Sequence, residues 1–324
     1  MLMPVLLFIL GLICLIKGGD WFVDGATALA RRFHLPELLI GATVVSIGTT
    51  LPEVMVSTTS ALTGHGEIAY GNAVGSVICN AALIAAITIA VKPGEVDRKA
   101  LRTPIVFFFT AALIYAVCAY GFGRFDRIVG ILMLAIFVFY MITTVRQMTG
   151  GRQQTGGTED SEEAEEEMPL AKQLLLLAAG AALIAVGADL LVDNGTLIAQ
   201  ALGVPESVIA LTFVALGTSL PELVTAITSL LKGHGSLSLG NVIGANLFNL
   251  VLVSGVSVTL APFPIPQNSI FLGVNSSLSL ELPVMFLVML LLSGPALGKG
   301  RLYRLQGIGL LAIYAVFCLI QFQL

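Results

Sequence analysis

The stretch "IGTTLPEV" (47–54) lies inside a long apolar run, and "LGTSLPEL" (216–223) repeats it 169 residues later. Each places a glutamate, a proline and two hydroxyl residues where a membrane-crossing helix should be uniformly apolar. The surroundings repeat as well. Residues 36–80 align with 205–249 without a gap, and 20 of the 45 positions are identical. "GNAVGSVICN" (71–80) meets "GNVIGANLFN" (240–249), and upstream "GGDWFVDGA" (18–26) meets "GADLLVDNG" (187–195). An ungapped match of that length marks two copies of one structural unit.

The units belong in a bilayer. Of 324 residues, 56% are hydrophobic and only 11% charged, and the mean hydropathy is +0.95, too little polar surface for a soluble domain of this size. Apolar stretches of helix-spanning length recur throughout, without the alternation of a membrane barrel. The expected fold is an all-α polytopic membrane protein with ten transmembrane helices, over 4–30, 36–63, 67–91, 101–120, 126–147, 170–199, 205–232, 236–261, 276–293 and 302–322. Five helices per half force the two repeats into inverted topology. The expected organisation is an N-terminal five-helix repeat (1–147), an acidic linker (148–169) and a C-terminal five-helix repeat (170–324). The first helix reads as retained, since no basic residue precedes its apolar core.

Charge placement orients the chain. With the loop between helices one and two assigned to the cytoplasm, that side receives thirteen of the Lys and Arg residues and the other side Arg124 and Arg127. Both termini are then outside, and "EDSEEAEEE" (159–167) is a solvated cytoplasmic linker in a multi-pass protein of the inner (plasma) membrane. Cys14, Cys79, Cys118 and Cys318 are scattered over separate apolar segments, so thiolate metal or redox chemistry is not expected. Neither a cofactor, a nucleic-acid partner nor an enzymatic activity is expected. The three histidines lie near turns and not beside the motif hydroxyls.

At ~1.5 Å of rise per residue, Glu53 and Glu222 fall well inside the hydrocarbon layer, approached from opposite sides. A charge there costs roughly 3 kcal/mol on insertion scales unless it is paired. No Lys or Arg lies at that depth in the repeats, and an exchangeable cation or proton takes that role. Pro52 and Pro221 each remove a backbone donor, and with Gly48 and Gly217 nearby each helix is expected to break or kink. That frees carbonyls near Thr49 and Thr218, and irregular backbone at this depth must line a polar cavity. On the following helix Asn72, Ser76 and Asn80 share a face, and Asn241, Ala245 and Asn249 repeat the spacing. Gly71, Gly75, Gly240 and Gly244 permit close helix approach. Two carboxylates, hydroxyls, carbonyls and amides form a hard-oxygen set suited to Ca2+ or Na+.

These motifs resemble the cation/calcium exchanger superfamily, in particular prokaryotic sodium/calcium exchangers, over nearly the whole chain. The resemblance implies ten helices and four central cation sites around two glutamates. It implies Ca2+ ligands at Glu53, Glu222 and the carbonyls of Thr49 and Thr218. It implies Na+ ligands at Ser46, Thr49, Thr50, Ser76, Ala215, Thr218 and Ser219 with the glutamates, Ser46 and Ala215 acting through carbonyls. Asn80 and Asn249, identical at the motif ends, join the candidates. The first and sixth helices become a long pair that slides over the core. The chain departs from well-studied sodium-coupled members at Ala245, where they carry serine, and at Asn249, where they carry aspartate. The expected function is secondary antiport of Ca2+ against Na+ by alternating access, with H+ in place of Na+ as the alternative and a cation channel as the alternative of another class. Asp20, Asp24, Asp189 and Asp193 read as helix pairs at packing or access positions, and His65 and His234 as residues of matching turns.

Overall fold

The computed structural model describes residues 2–151, 168–202, 217–267 and 270–323. The helices are α1 (Leu2–Arg32), α2 (Glu37–Leu62), α3 (Gly66–Val91), α4 (Arg98–Phe122), α5 (Arg127–Gly151), α6 (Leu170–Ala201), α7 (Leu220–Leu231), α8 (Gly235–Leu260), α9 (Ser277–Lys299) and α10 (Arg304–Gln321). Among the described residues nine of these are long and apolar enough to cross a membrane, and α7 is a shorter apolar helix. Residues 203–216, which would form the first half of the expected seventh helix, and 152–167 of the expected linker lie outside the described residues.

Three short strand pairs tie the loops. Gly94–Glu95 pairs antiparallel with Arg301–Leu302, joining the α3–α4 and α9–α10 loops. Arg124–Phe125 pairs with Phe263–Pro264, joining the α4–α5 and α8–α9 loops. Ile270–Phe271 pairs with Val274–Asn275 as a hairpin before α9. The first two closures each need an even number of crossings between the joined loops, which ten crossings supply. With five crossings per half, the two repeats run through the bilayer in opposite senses.

Two packed bodies result. One gathers α3, α4, α5, α8, α9 and α10 with parts of α2 and α7 around Tyr70, Phe108, Tyr115, Tyr140 and Phe248. The other is α1 against α6, joined by the start of α2 through Ile40 and Val45. The α1–α6 seam is made of small residues. A Cβ on Gly18 would lie 2.8 Å from the Ile184 nitrogen and 2.9 Å from the Gly180 carbonyl oxygen, and one on Gly11 2.9 Å from the Gly187 carbonyl oxygen. Backbone-to-backbone approach of this kind is how helices pack where lipid removes the hydrophobic drive.

The α2–α8 crossing uses the same device. Gly240 packs on the Leu38 backbone and Gly244 on Ala42, as their spacing predicted. Gly71 and Gly75, the equivalents in the first repeat, have no described neighbour within 4 Å of a Cβ.

Gly18→Leu is therefore expected to destabilise the protein by about 1–3 kcal/mol, the usual cost of overpacking. Gly309→Ala, on an open face of α10, should leave stability unchanged or slightly improved. Thermal midpoints of the purified variants check both; equal midpoints for Gly18→Leu and the native chain would refute the seam.

Candidate cation site

The proline motif folds differently in its two copies. Of the break or kink expected at Pro52, α2 shows no break: the helix is continuous through it. Its irregularity lies upstream, in a π-helical stretch at Gly41–Val45. Carbonyls displaced by that stretch find other donors: Tyr140 Oη donates to Ala42 O at 2.8 Å, and Ser46 Oγ lies 2.8 Å from Gly41 O. In the second copy a turn at 217–219 does interrupt the chain, and Pro221 sits in the first turn of α7, where a missing N–H costs nothing.

The two copies then interlock. Thr49 Oγ1 of the first lies 3.2 Å from Asn241 Oδ1 of the second, and Thr218 Oγ1 of the second lies 3.1 Å from Asn72 Oδ1 of the first. These bonds are repeat-equivalents, each crossing between halves. Asn72 Nδ2 also donates to Ser57 Oγ at 2.8 Å and to Glu53 O at 3.3 Å. Ser46 Oγ reaches Asn241 O at 2.9 Å. The face shared by Asn72 and Asn241 is thus a brace between repeats, and sequence spacing alone gave no sign of that pairing.

Inside the brace sit the candidates. Glu53, Glu222, Thr50, Asn80 and Asn249 are fully buried, and Ser46, Thr49, Ser76 and Ser219 are buried; Thr218 is half-buried. Glu53 and Glu222 are within electrostatic range of each other, and the Thr49 and Thr50 hydroxyls lie beside Glu222. Ala215 lies outside the described residues. Ala245 is fully buried and carries no hydroxyl.

Among the buried polar atoms without partners, those of the candidate residues pair up by the repeat. Both oxygens of Glu53 and Glu222, the hydroxyls of Thr50 and Ser219, and the amides of Asn80 and Asn249 have no hydrogen-bond partner among the described residues. Each member has its repeat-equivalent in the set, and together they offer eight oxygens. Buried polar groups are normally paired, so these eight oxygens are free to accept a donor or a cation. Hard cations of 6–8-fold oxygen coordination match that donor number and chemistry. Among the described residues no cluster of three or more His, Cys, Asp and Glu offers an alternative metal site. Asn80 and Asn249 also open π-helical stretches, Asn80–Ala85 and Asn249–Val253. Such bulges are frequent at functional sites, and no sequence signal announced them.

A cavity of about 350 Å3 lies beside the motifs. Asn72, Ser76 and Thr218 line it, and it extends between α3 and α10 to Ile68 and Gln321, near the face of the α2–α3 turn. On the other side, Phe22 of α1 and Ile184 of α6 close over Thr49, Pro52 and Pro221, leaving a void of about 10 Å3.

Known proteins share this architecture. The family model described as sodium/calcium exchanger protein matches residues 3–146 and 172–323. A structure of the sodium-calcium exchanger NCX_Mj, soaked with Na+ and Sr2+, superposes with a TM-score of 0.79 at 32% identity, covering 97% of each chain. The sodium/calcium exchanger MaX1 of Methanosarcina acetivorans is 30% identical over 98% of both chains. An inner membrane protein of Escherichia coli, YrbG, is 33% identical over 93% of this chain and 92% of its own.

An orphan carboxylate retained as an anion costs about 3 kcal/mol at this depth. In cation-free buffer at pH 8, Glu53→Gln/Glu222→Gln is therefore expected to melt above the native protein, and added Ca2+ should no longer raise its midpoint. A midpoint below the native one, still rising with Ca2+, would place the occupant elsewhere.

Proposed function

Because the chain belongs to the sodium/calcium exchanger family, a family of membrane transporters and not of enzymes, we propose that it is a secondary antiporter exchanging Ca2+ for Na+ at the Glu53–Glu222 pair. The observation that carries this reading is the symmetric orphan set: four carboxylate, two hydroxyl and two amide oxygens, buried and without protein partners. Two carboxylates balance one Ca2+ in formal charge. Na+ ions entering the same oxygens exclude the divalent ion, and that mutual exclusion is the physical basis of antiport.

In this reading Glu53, Glu222, Thr49 and Thr218 hold Ca2+. Ser46, Thr50, Ser76, Ala215 and Ser219 serve Na+ with the same glutamates, and Asn80 and Asn249 complete the shell from their π-helical stretches. The inverted halves supply one gate each. The α1–α6 pair, packed mainly on itself through glycines, is the body that moves over the braced core. The Lys and Arg distribution puts the α1–α2 turn and the acidic linker in the cytoplasm and both termini outside. The 350 Å3 cavity then opens toward the external side.

Proton coupling is the second reading. It is favoured by Asn249, an amide where well-studied sodium-coupled members carry an acid, and by two buried carboxylates able to take protons. Ca2+ uptake into proteoliposomes under a Na+ gradient alone, then under a pH gradient alone, separates the two. Uptake driven by Na+ at clamped pH supports the first reading. Uptake driven only by pH replaces it with the second, and single-channel currents would replace both.

Glu53→Gln or Glu222→Gln should lower Ca2+ exchange at least ~100-fold while the protein still inserts, since the amide keeps the shape but loses half the charge facing a divalent ion. Ala245→Ser restores a hydroxyl one turn before Asn249. It should strengthen Na+ inhibition of Ca2+ uptake in oriented vesicles, and an unchanged inhibition curve would show that this position contributes no Na+ ligand.

A further inference from the structure

A separate cavity, of about 230 Å3, lies on the face of the α7–α8 turn, away from the Glu53–Glu222 pair. The α3–α4 loop gives it Lys92, Gly94 and Glu95, and α8 gives it Gly235, Ser236 and Ser238. Gly235 opens α8, a helix of 26 residues. The N–H groups of a helix's first turn have no partner within the helix, and the aligned peptides place partial positive charge there. In α8 no acid stands in the first turn, and His234 before it makes no side-chain cap. The His234 ring is held instead by Glu37, at 2.7 Å.

Ser238 adds an observation independent of the helix end. It is 1% exposed, it lines the cavity, and its Oγ has no hydrogen-bond partner among the described residues. A buried hydroxyl is costly unless something bonds to it. Lys92 adds charge: it is exposed and forms no ion pair among the described residues. The acid of the lining, Glu95, stands opposite Arg301 in the strand pair. Carbonyls at the end of α3 are already engaged, Thr88 O by Lys92 N at 2.8 Å and Val91 O by Arg304 at 3.4 Å. The first repeat shows the same helix start closed. Where α8 has Gly235, Ser236 and Ser238, α3 has Gly66, Glu67 and Ala69. Glu67 brings an acid to the first turn, and Gly66 packs directly on Phe263. Over Gly235 no described atom lies within 4 Å of a Cβ.

We propose that this cavity binds a phosphate group, held by the N–H groups that open α8, the hydroxyls of Ser236 and Ser238, and the Lys92 ammonium. The donors decide the chemistry. Amide, hydroxyl and ammonium groups all donate, and together they suit an anion with several acceptor oxygens. Free phosphate and the phosphodiester of a lipid headgroup present the same oxygens, and the experiment below separates the two sources. The proposal stands apart from the exchange reading: it does not depend on which cation the central glutamates carry.

The test melts the full chain in detergent, in potassium phosphate against potassium chloride at one pH and ionic strength, without Ca2+. A second arm compares short-chain phosphatidylglycerol with the matching diacylglycerol, which lacks the phosphate. A midpoint raised by phosphate, by phosphatidylglycerol or by both supports the site, and the arm that responds names the source. Lys92→Gln should raise the half-effective concentration of the responding probe at least ~5-fold, since it removes a charge-assisted bond. Ser236→Glu, which copies the first repeat, should abolish the response without lowering the midpoint in chloride, because its acid takes the anion's place at the helix start. No shift with either probe, a lipid effect that diacylglycerol reproduces with no response to phosphate, or a response that survives Ser236→Glu overturns the proposal.

Discussion

A carboxylate without a partner cannot rest in a bilayer, and the molecule is arranged around two of them. Glu53 and Glu222 are fully buried, each has both oxygens free of hydrogen bonds, and they lie within range of each other's charge. A protein that needed only stability would replace them with apolar side chains of similar volume. Their retention makes sense where the missing partner is an ion that comes and goes. The donors around them follow from that. In the proposed exchange, hydroxyls and amides already satisfied by the protein could not be offered to a cation, and those of Thr50, Ser219, Asn80 and Asn249 have no partner among the described residues.

The same constraint explains why the two halves are braced at the neighbouring positions. An ion shared between repeats pulls on both, and a carboxylate pair emptied of its ion repels. The reciprocal bonds Thr49–Asn241 and Thr218–Asn72 join the halves one turn away from the glutamates. They keep the site's spacing independent of its contents, which leaves access, not shape, as the variable. The α1–α6 pair can supply that variable because most of its own packing is internal.

Much of this was legible in the sequence, because an inverted repeat writes its symmetry into the chain. The 169-residue offset located both acids, their hydroxyls and the amides that end each motif. Helix ends came within a few residues because apolar length in a bilayer is dictated by thickness. What escaped has a common cause: it depends on backbone irregularity or on contacts between elements far apart. The π-helical stretches at Asn80 and Asn249 have no composition signature. The π-helical stretch at Gly41–Val45 likewise has no composition signature, and one of its carbonyls is captured by Tyr140 from another helix.

Where the repeats differ, the two faces of the membrane become unequal. Lys232, in the α7–α8 turn, binds Asp24 at 2.7 Å and Asp20 at 3.4 Å on α1, and His234 Nδ1 meets Glu37 Oε1 at 2.7 Å. The acids recur on α6 as Asp189 and Asp193, but the position equivalent to Lys232 is Thr63. Asp20 and Asp24 tie α1 to the core on one face; α6 lacks the same lysine on the other. Each such exposed pair contributes only about 0–1 kcal/mol. If α1 and α6 move as proposed, several such pairs on one face are enough to shift a two-state balance by a factor of a few. The asymmetry sits outside the ion site and leaves its donors untouched. An inverted-repeat carrier can in this way keep a symmetric centre, which serves the same ion from both sides, while its surface turns set which side is open at rest.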